Sequence, residues 1–261
     1  MITRLVQKMT SQNLKDALQS PESDESSHLL VVTGPSPTSR ELSQKGIASR
    51  PIFEIIWDRH MKNQVGESLF FYNLFQGTPD FGSAAGWIFE YRMHQLLQKG
   101  NSIRLFPIRG AKSKKNFTWN DYTATNNQEN STLLQLPSSK EYPLDKETKL
   151  IVGRYYRPRA GNFPTIDSLL LVSPPNELPI LLMFQITRDK GEHRVSKDGL
   201  DKVAAFRLPR RTRKYYVVVT PDDRQPDITA PMSHWEDEDP GQVFPVFHYP
   251  VHEDTIFDKH D

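Results

Sequence analysis

Two apolar runs, IDSLLLV at 166–172 and ILLMFQIT at 180–187, flank the pentapeptide Ser173-Pro174-Pro175-Asn176-Glu177. Adjacent prolines followed by Asn are turn chemistry, and short continuous apolar runs bounded by turns are buried strands. The two runs are therefore predicted to pair as an antiparallel hairpin. Further apolar runs at 28–33, 102–108, 149–152 and 215–220 (YYVVVT) read as strands in the same way. Helical spacing appears at 51–75, broken near Gly66, and more strongly at 83–99, where Ser83 is an N-cap and Gly100 a terminator. A polar helix follows the hairpin at 197–207, with Leu200, Val203, Ala204 and Phe206 facing inward. Helix, strand, hairpin, helix and strand in this order predict an α/β (α+β) fold, a mixed central sheet flanked by helices. The expected organisation is an N-terminal helical and strand extension at 1–70, a main domain at 71–221 and an acidic, proline-rich tail at 222–261.

Composition narrows the chemistry. The 261 residues contain no cysteine, which excludes a disulfide scaffold, a thiolate zinc site and a cysteine nucleophile. Any metal would have to be held by oxygen or histidine nitrogen. No run approaches the ~20 apolar residues of a membrane span, and no signal-peptide h-region is visible, so an intracellular, non-membrane protein is expected. The net charge of +1 conceals two opposed blocks. Residues 188–214 carry ten Lys/Arg against four Asp/Glu, and residues 222–261 carry two against eleven. The first block invites a polyanionic partner, and the tail a basic protein partner or the chain's own basic patch.

Polar residues at the ends of apolar runs carry the candidate chemistry. Glu90 falls on or beside the apolar face of the 83–99 helix, Asp167 opens the first hairpin strand, and Gln185 and Thr187 close the second on a shared face. An acid so placed needs a partner or a cation. Each also has a plain structural reading: Asp167 as a turn or cap residue, Glu90 paired with an arginine such as Arg92 or Arg154, Thr187 as a good strand former, and His193 as a solvated loop residue. The run Pro209-Arg210-Arg211-Thr212-Arg213-Lys214 admits phosphate contact, a nuclear-localisation signal or a solvated loop. Lys112, Lys114 and Lys115, followed by Phe117 and Trp119, form a second basic segment that reads best as a surface hairpin. The loop at 34–40 lacks GxxxxGK[ST] and is no phosphate cradle by that criterion.

The order of Glu90, Asp167, Gln185-x-Thr187 and a following helix resembles the PD-(D/E)XK, or restriction-endonuclease-like, nuclease superfamily. More narrowly, the segment YYRPRAGNFPTIDSLLLV…LLMFQITRDKGEHRVSKDGL, with FYNLF…AGWIFEYRMHQLL before it, is similar to the C-terminal domain of Crinkler and retrotransposon-hot-spot type effectors. The resemblance implies a metal-dependent nuclease acting on DNA or RNA, with DNA the first expectation, inside a host cell and, for such effectors, often in its nucleus, with 1–70 read as the remnant of an upstream ATPase domain. It assigns Asp167, Gln185 and Glu90 to Mg²⁺ or Mn²⁺, and Thr187 and His193 to the catalytic set. Gln185 stands where the family has Asp or Glu, and Thr187 where it has Lys. Lys190, Lys197 or Lys202 would then supply the missing positive charge, and Lys190, Arg194, Lys197, Lys202, Arg210, Arg211 and Arg213 would hold nucleic acid. The alternative is a degenerate nuclease fold that binds nucleic acid or protein without cutting.

Overall fold

The computed structural model describes residues 10–19, 31–36, 39–47, 49–77, 82–112, 116–121, 131–145, 149–158, 163, 165–188, 192–225, 227–231 and 245–258. They divide into two compact units, one of residues 1–92 with 254–261 and one of residues 93–253. The boundary falls inside a helix, at Arg92 and Met93.

The first unit contains α1 (Ser11–Gln19), the antiparallel pair β1 (Val31–Ser36) and β2 (Ser39–Ile47), α2 (Arg50–Ile56), a π-helical turn (Trp57–Met61), α3 (Val65–Gln76) and the first part of α4 (Gly82–Gln98). The predicted break near Gly66 comes slightly earlier, at the end of the π turn. The core here is aromatic: Phe53, Trp57, Phe71, Tyr72 and Phe75 are almost fully buried. Phe53 meets Trp87 at 5.4 Å, Trp57 meets Tyr91 at 5.2 Å and Tyr72 meets Phe257 at 4.9 Å between ring centroids.

A helix end leaves carbonyls without intrahelical donors. Arg92 supplies them: its Nη2 donates to Met61 O at 2.8 Å and its Nε to Ser68 Oγ at 2.8 Å, and its guanidinium lies 5.2 Å from the Trp57 ring. Burial pulls this guanidinium down to about 10, which leaves it charged at neutral pH. Arg92→Met keeps the aliphatic stem but removes the charged hydrogen bonds to Met61 O and Ser68 Oγ, which keep only the Gln64 N–H and the Val65 O as partners among the described residues. Urea unfolding should show a loss of about 2 kcal/mol, on the basis of ~1.5–3 kcal/mol for hydrogen bonds from a charged donor.

The second unit is built on a mixed sheet. Its strands are β3 (Ser102–Lys112), β4 (Asn116–Asp121), β5 (Thr132–Gln135), β6 (Glu141–Leu144), β7 (Tyr155–Pro158), β8 (Ser168–Val172), β9 (Ile180–Ile186), β10 (Glu192–Arg194), β11 (Arg213–Pro221), β12 (Asp227–Pro231) and β13 (Val246–Val251). The order is β10-β12-β4-β3-β13-β11-β9-β8-β7-β6, with β5 beside β3. The predicted hairpin is β8–β9, antiparallel with Ser168 opposite Phe184 and Val172 opposite Ile180. Asn176 makes its turn in the left-handed region at φ 61°. β9 runs parallel to β11, and the connection carries α5 (Lys197–Ala204), capped by Ser196 Oγ, which accepts from Gly199 N–H at 3.0 Å.

Period-two alternation splits the hairpin into two faces. Leu169, Leu171, Leu181, Met183, Tyr216 and Val218 share one face and one core with Leu200, Val203 and Phe206 of the α5 segment. The opposite face carries Tyr155, Ser168, Leu170, Leu182 and Phe184, all buried.

Three parts of the sequence-based scheme are corrected, the first being that Ala204, expected to face inward with Leu200 and Val203, is exposed. The apolar run at 149–152 forms no strand: only Lys149 makes an isolated bridge, to Arg207, and Ile151 and Val152 are exposed. Residues 227–231 and 246–251, inside the segment expected to be a tail, are strands: β12, between β10 and β4, and β13, an interior strand parallel to β11 and antiparallel to β3. Gly100 does terminate α4, at φ 88°, and a Cβ there would lie 2.5 Å from Ser138 N, so only glycine fits.

Candidate functional site

Extending the hairpin register by one residue sets Asp167 opposite Gln185. The Asp167 N–H donates to Phe184 O at 2.8 Å, and Asp167 Oδ2 accepts from Ile186 N–H at 2.6 Å. One carboxylate oxygen is thus locked onto the neighbouring strand while the residue stays half-buried. Across the parallel pair, Gln185 lies beside Val218, two residues from Tyr216 on the same face. The Tyr216 hydroxyl lies within hydrogen-bonding reach of both Gln185 Oε1 and, at 3.0 Å, Thr165 O. A phenol has one proton. The single phenolic proton therefore serves Thr165 O and Gln185 Oε1 one at a time, which ties the amide of Gln185 to the loop that delivers Asp167. Burial pushes the Tyr216 phenol well above its ordinary range, and the Asp167 charge pushes it the same way, so it stays a donor at physiological pH.

Thr165 is the strained element. Its φ is 80°, a region a β-branched residue rarely enters. Its Oγ1 accepts from Ser196 N–H at 2.7 Å, which ties the start of α5 to the loop that delivers Asp167. Thr187, half-buried, directly follows β9, its N–H donating to Val219 O at 2.9 Å.

The other expected site residues lie on other elements. Glu90 belongs to the first unit, where its Oε1 pairs with Arg50 Nη2 at 2.5 Å. The plain reading of this acid as an arginine partner therefore holds, with Arg50 in place of Arg92 or Arg154. His193 is on β10, beside Ile228 of β12. Arg194 is exposed, and Lys202 is exposed with its Nζ 5.3 Å from the Phe163 ring. Lys190, the side chain of Lys197, those of Lys112, Phe117 and Trp119, residues 113–115 and the acidic stretch at 235–240 lie outside the described residues.

The arginine run is not beside Asp167. Arg213 is opposite Ile180 at the start of the parallel β9–β11 pair, whereas Gln185 is opposite Val218, near its end. Five residues of strand put them roughly 16 Å apart, at about 3.3 Å per residue. Arg213 is further engaged by Glu177 at 2.5 Å, whereas Arg210 and Arg211 are exposed.

Among the described residues, no group of three or more His, Asp or Glu side chains could hold a metal ion. Asp167 offers one charged oxygen donor and Gln185 one neutral carbonyl. That set suits a hard divalent cation that keeps most of its waters, and does not suit a dehydrated multi-carboxylate cage. Sequence reasoning missed Tyr216 and Thr165. The alternation in YYVVVT places Tyr216 on one face with Val218, but only the pairing of β9 with β11 brings it to Gln185. No family model, curated protein or solved structure matches this chain. Among the described residues no helix is long and apolar enough to cross a membrane.

Proposed function

We propose that this chain is a metal-assisted nuclease whose working end lies at Asp167 and Gln185. The observation that carries the proposal is the juxtaposition of one acid and one amide across the β8–β9 pair, at the ends of apolar strands. A bound Mg²⁺ or Mn²⁺ would polarise a phosphodiester and acidify a water. Asp167 would supply the charged ligand, its orientation held by the Ile186 N–H. Gln185 would supply a carbonyl, and the Thr187 hydroxyl would hold a water or a phosphate oxygen. Tyr216, kept protonated by burial, would hold the amide in place. DNA is the substrate to try first, with RNA as the comparison.

A second proposal, nucleic-acid binding without hydrolysis, is favoured by a specific observation. Glu90 is neutralised by Arg50, and Thr187 has no ammonium to stabilise a developing anion. Linear DNA with Mg²⁺ or Mn²⁺ tests both. Cleavage at least tenfold faster by the wild type than by Asp167→Asn or Gln185→Ala supports hydrolysis at this site. Equal cleavage by all three rejects the site. Salt-dependent binding with no cleavage by any of them supports the second proposal.

A further inference from the structure

We propose that Lys149, Arg207, Arg210 and Arg211 form an anchor for nucleic-acid backbone phosphates at the end of the sheet remote from Asp167. The inference rests on the nucleic-acid proposal for its ligand class, but not on any hydrolysis. All four side chains are exposed, and none has an ion-pair or hydrogen-bond partner among the described residues. The bridge between Lys149 and Arg207 draws the lysine alongside the arginine run, although 58 positions separate them in sequence. Arg207 and Arg211 are four residues apart, so their Cα atoms lie within about 14 Å of chain. The cluster is a local concentration of uncompensated positive charge.

The backbone holds this cluster in one conformation. Thr212 N–H and Thr212 Oγ1 both donate to Pro209 O, at 3.3 and 2.7 Å, closing a turn with Arg210 and Arg211 at its tip. Arg211 takes the left-handed conformation, φ 59°, where glycine or asparagine would be less strained. Strain kept at an exposed, unpartnered arginine points to use of the side chain. Three arginines among four cations favour phosphate, which the planar guanidinium fork meets through two parallel hydrogen bonds. The anchor cannot hand the phosphate it grips to Asp167. Spanning roughly 16 Å takes about five base-pair steps of 3.4 Å, so the same duplex would have to run along the sheet to meet both ends.

Fluorescence anisotropy of the full chain with a labelled 20-base-pair duplex, in EDTA and over a salt series, tests the anchor. The Arg210→Ala/Arg211→Gly variant should bind about tenfold more weakly near 100 mM salt, with the slope of log K against log salt smaller by about 2. Its melting temperature should be unchanged or higher, because glycine relieves the left-handed strain. A purely structural role would move stability and leave binding alone. In EDTA no metal-assisted cleavage takes place, so the result holds whether or not the wild type hydrolyses DNA. The proposal is overturned by unchanged affinity and slope in the double variant. It is equally overturned if polyglutamate displaces the protein as effectively as duplex at equal charge concentration.

Discussion

Tyr155→Phe is expected to lower the unfolding free energy by about 2–6 kcal/mol, although it removes a single oxygen atom. The Tyr155 hydroxyl donates to Ser168 Oγ at 2.7 Å, and its oxygen meets His94 Nδ1 at 2.6 Å. With the phenolic proton given to Ser168, Nδ1 carries the imidazole proton and donates to the phenol. All three side chains are buried, so neither partner can turn to water when the hydroxyl is lost. Two orphaned buried groups at about 1–3 kcal/mol each set the expected range. The network joins the second half of α4 to β7 and to the residue directly after Asp167. Burial also drives the Tyr155 ionisation well above its ordinary range, so the hydroxyl stays intact through the alkaline range in which the protein would be studied. Chemical denaturation of Tyr155→Phe, Ser168→Ala and the double variant checks the assignment. Additive losses would show that the two groups are not coupled.

Acidification from pH 6.5 to 4 should remove about 3 kcal/mol of stability through His248 alone. Burial pulls this imidazole from 6.5 to about 4 in the folded chain. Between those values the unfolded chain binds the proton and the folded chain does not, so unfolding gains as pH falls. The contribution is fully present above pH 6.5 and is gone once pH passes below about 4. The cause is structural: His248 lies on β13, its Nε2 2.8 Å from Thr220 Oγ1 on β11, inside the sheet. Protonation puts a charge where water does not reach. His248→Gln should start less stable at neutral pH and lose less on acidification. Parallel pH profiles for the variant and the wild type, followed by denaturant unfolding, would overturn the assignment. Carboxylates titrate over the same range in both proteins, so the difference between the profiles is the informative quantity.

The hairpin illustrates what local chemistry can reveal. Two apolar runs around Ser173-Pro174-Pro175-Asn176-Glu177 admit few other structures, and β8–β9 follows them closely. The 83–99 helix is nearly as direct: it runs over 82–98 before a glycine that no other residue could replace, but Ser83 lies within it and is not its N-cap. β13 shows the limit. Its six residues include Pro250, and Pro245 stands just before them, in a segment dominated by acids. Its place between β3 and β11 comes from long-range pairing that no local pattern encodes. The run at 149–152 errs in the other direction, because apolar residues without a paired neighbour make no strand.

The site divides along the same line. Local pattern alone determined an α/β sheet flanked by helices, Asp167 and Gln185 at the ends of buried strands, the exclusion of thiolate chemistry by the absence of cysteine, and a basic block set against an acidic one. These follow from alternation, turn residues and composition, which act over a few residues. Tertiary structure alone decided that Tyr216 reaches Gln185, that Thr165 is held at φ 80°, that Glu90 answers to Arg50, and that the arginine run opens β11 while Asp167 lies near the far end of β9. The last follows from the parallel pairing of two strands joined by a helical crossover. Such a crossover carries the chain back to the start of the sheet, so residues close in sequence to the end of β9 begin the next strand at the opposite edge.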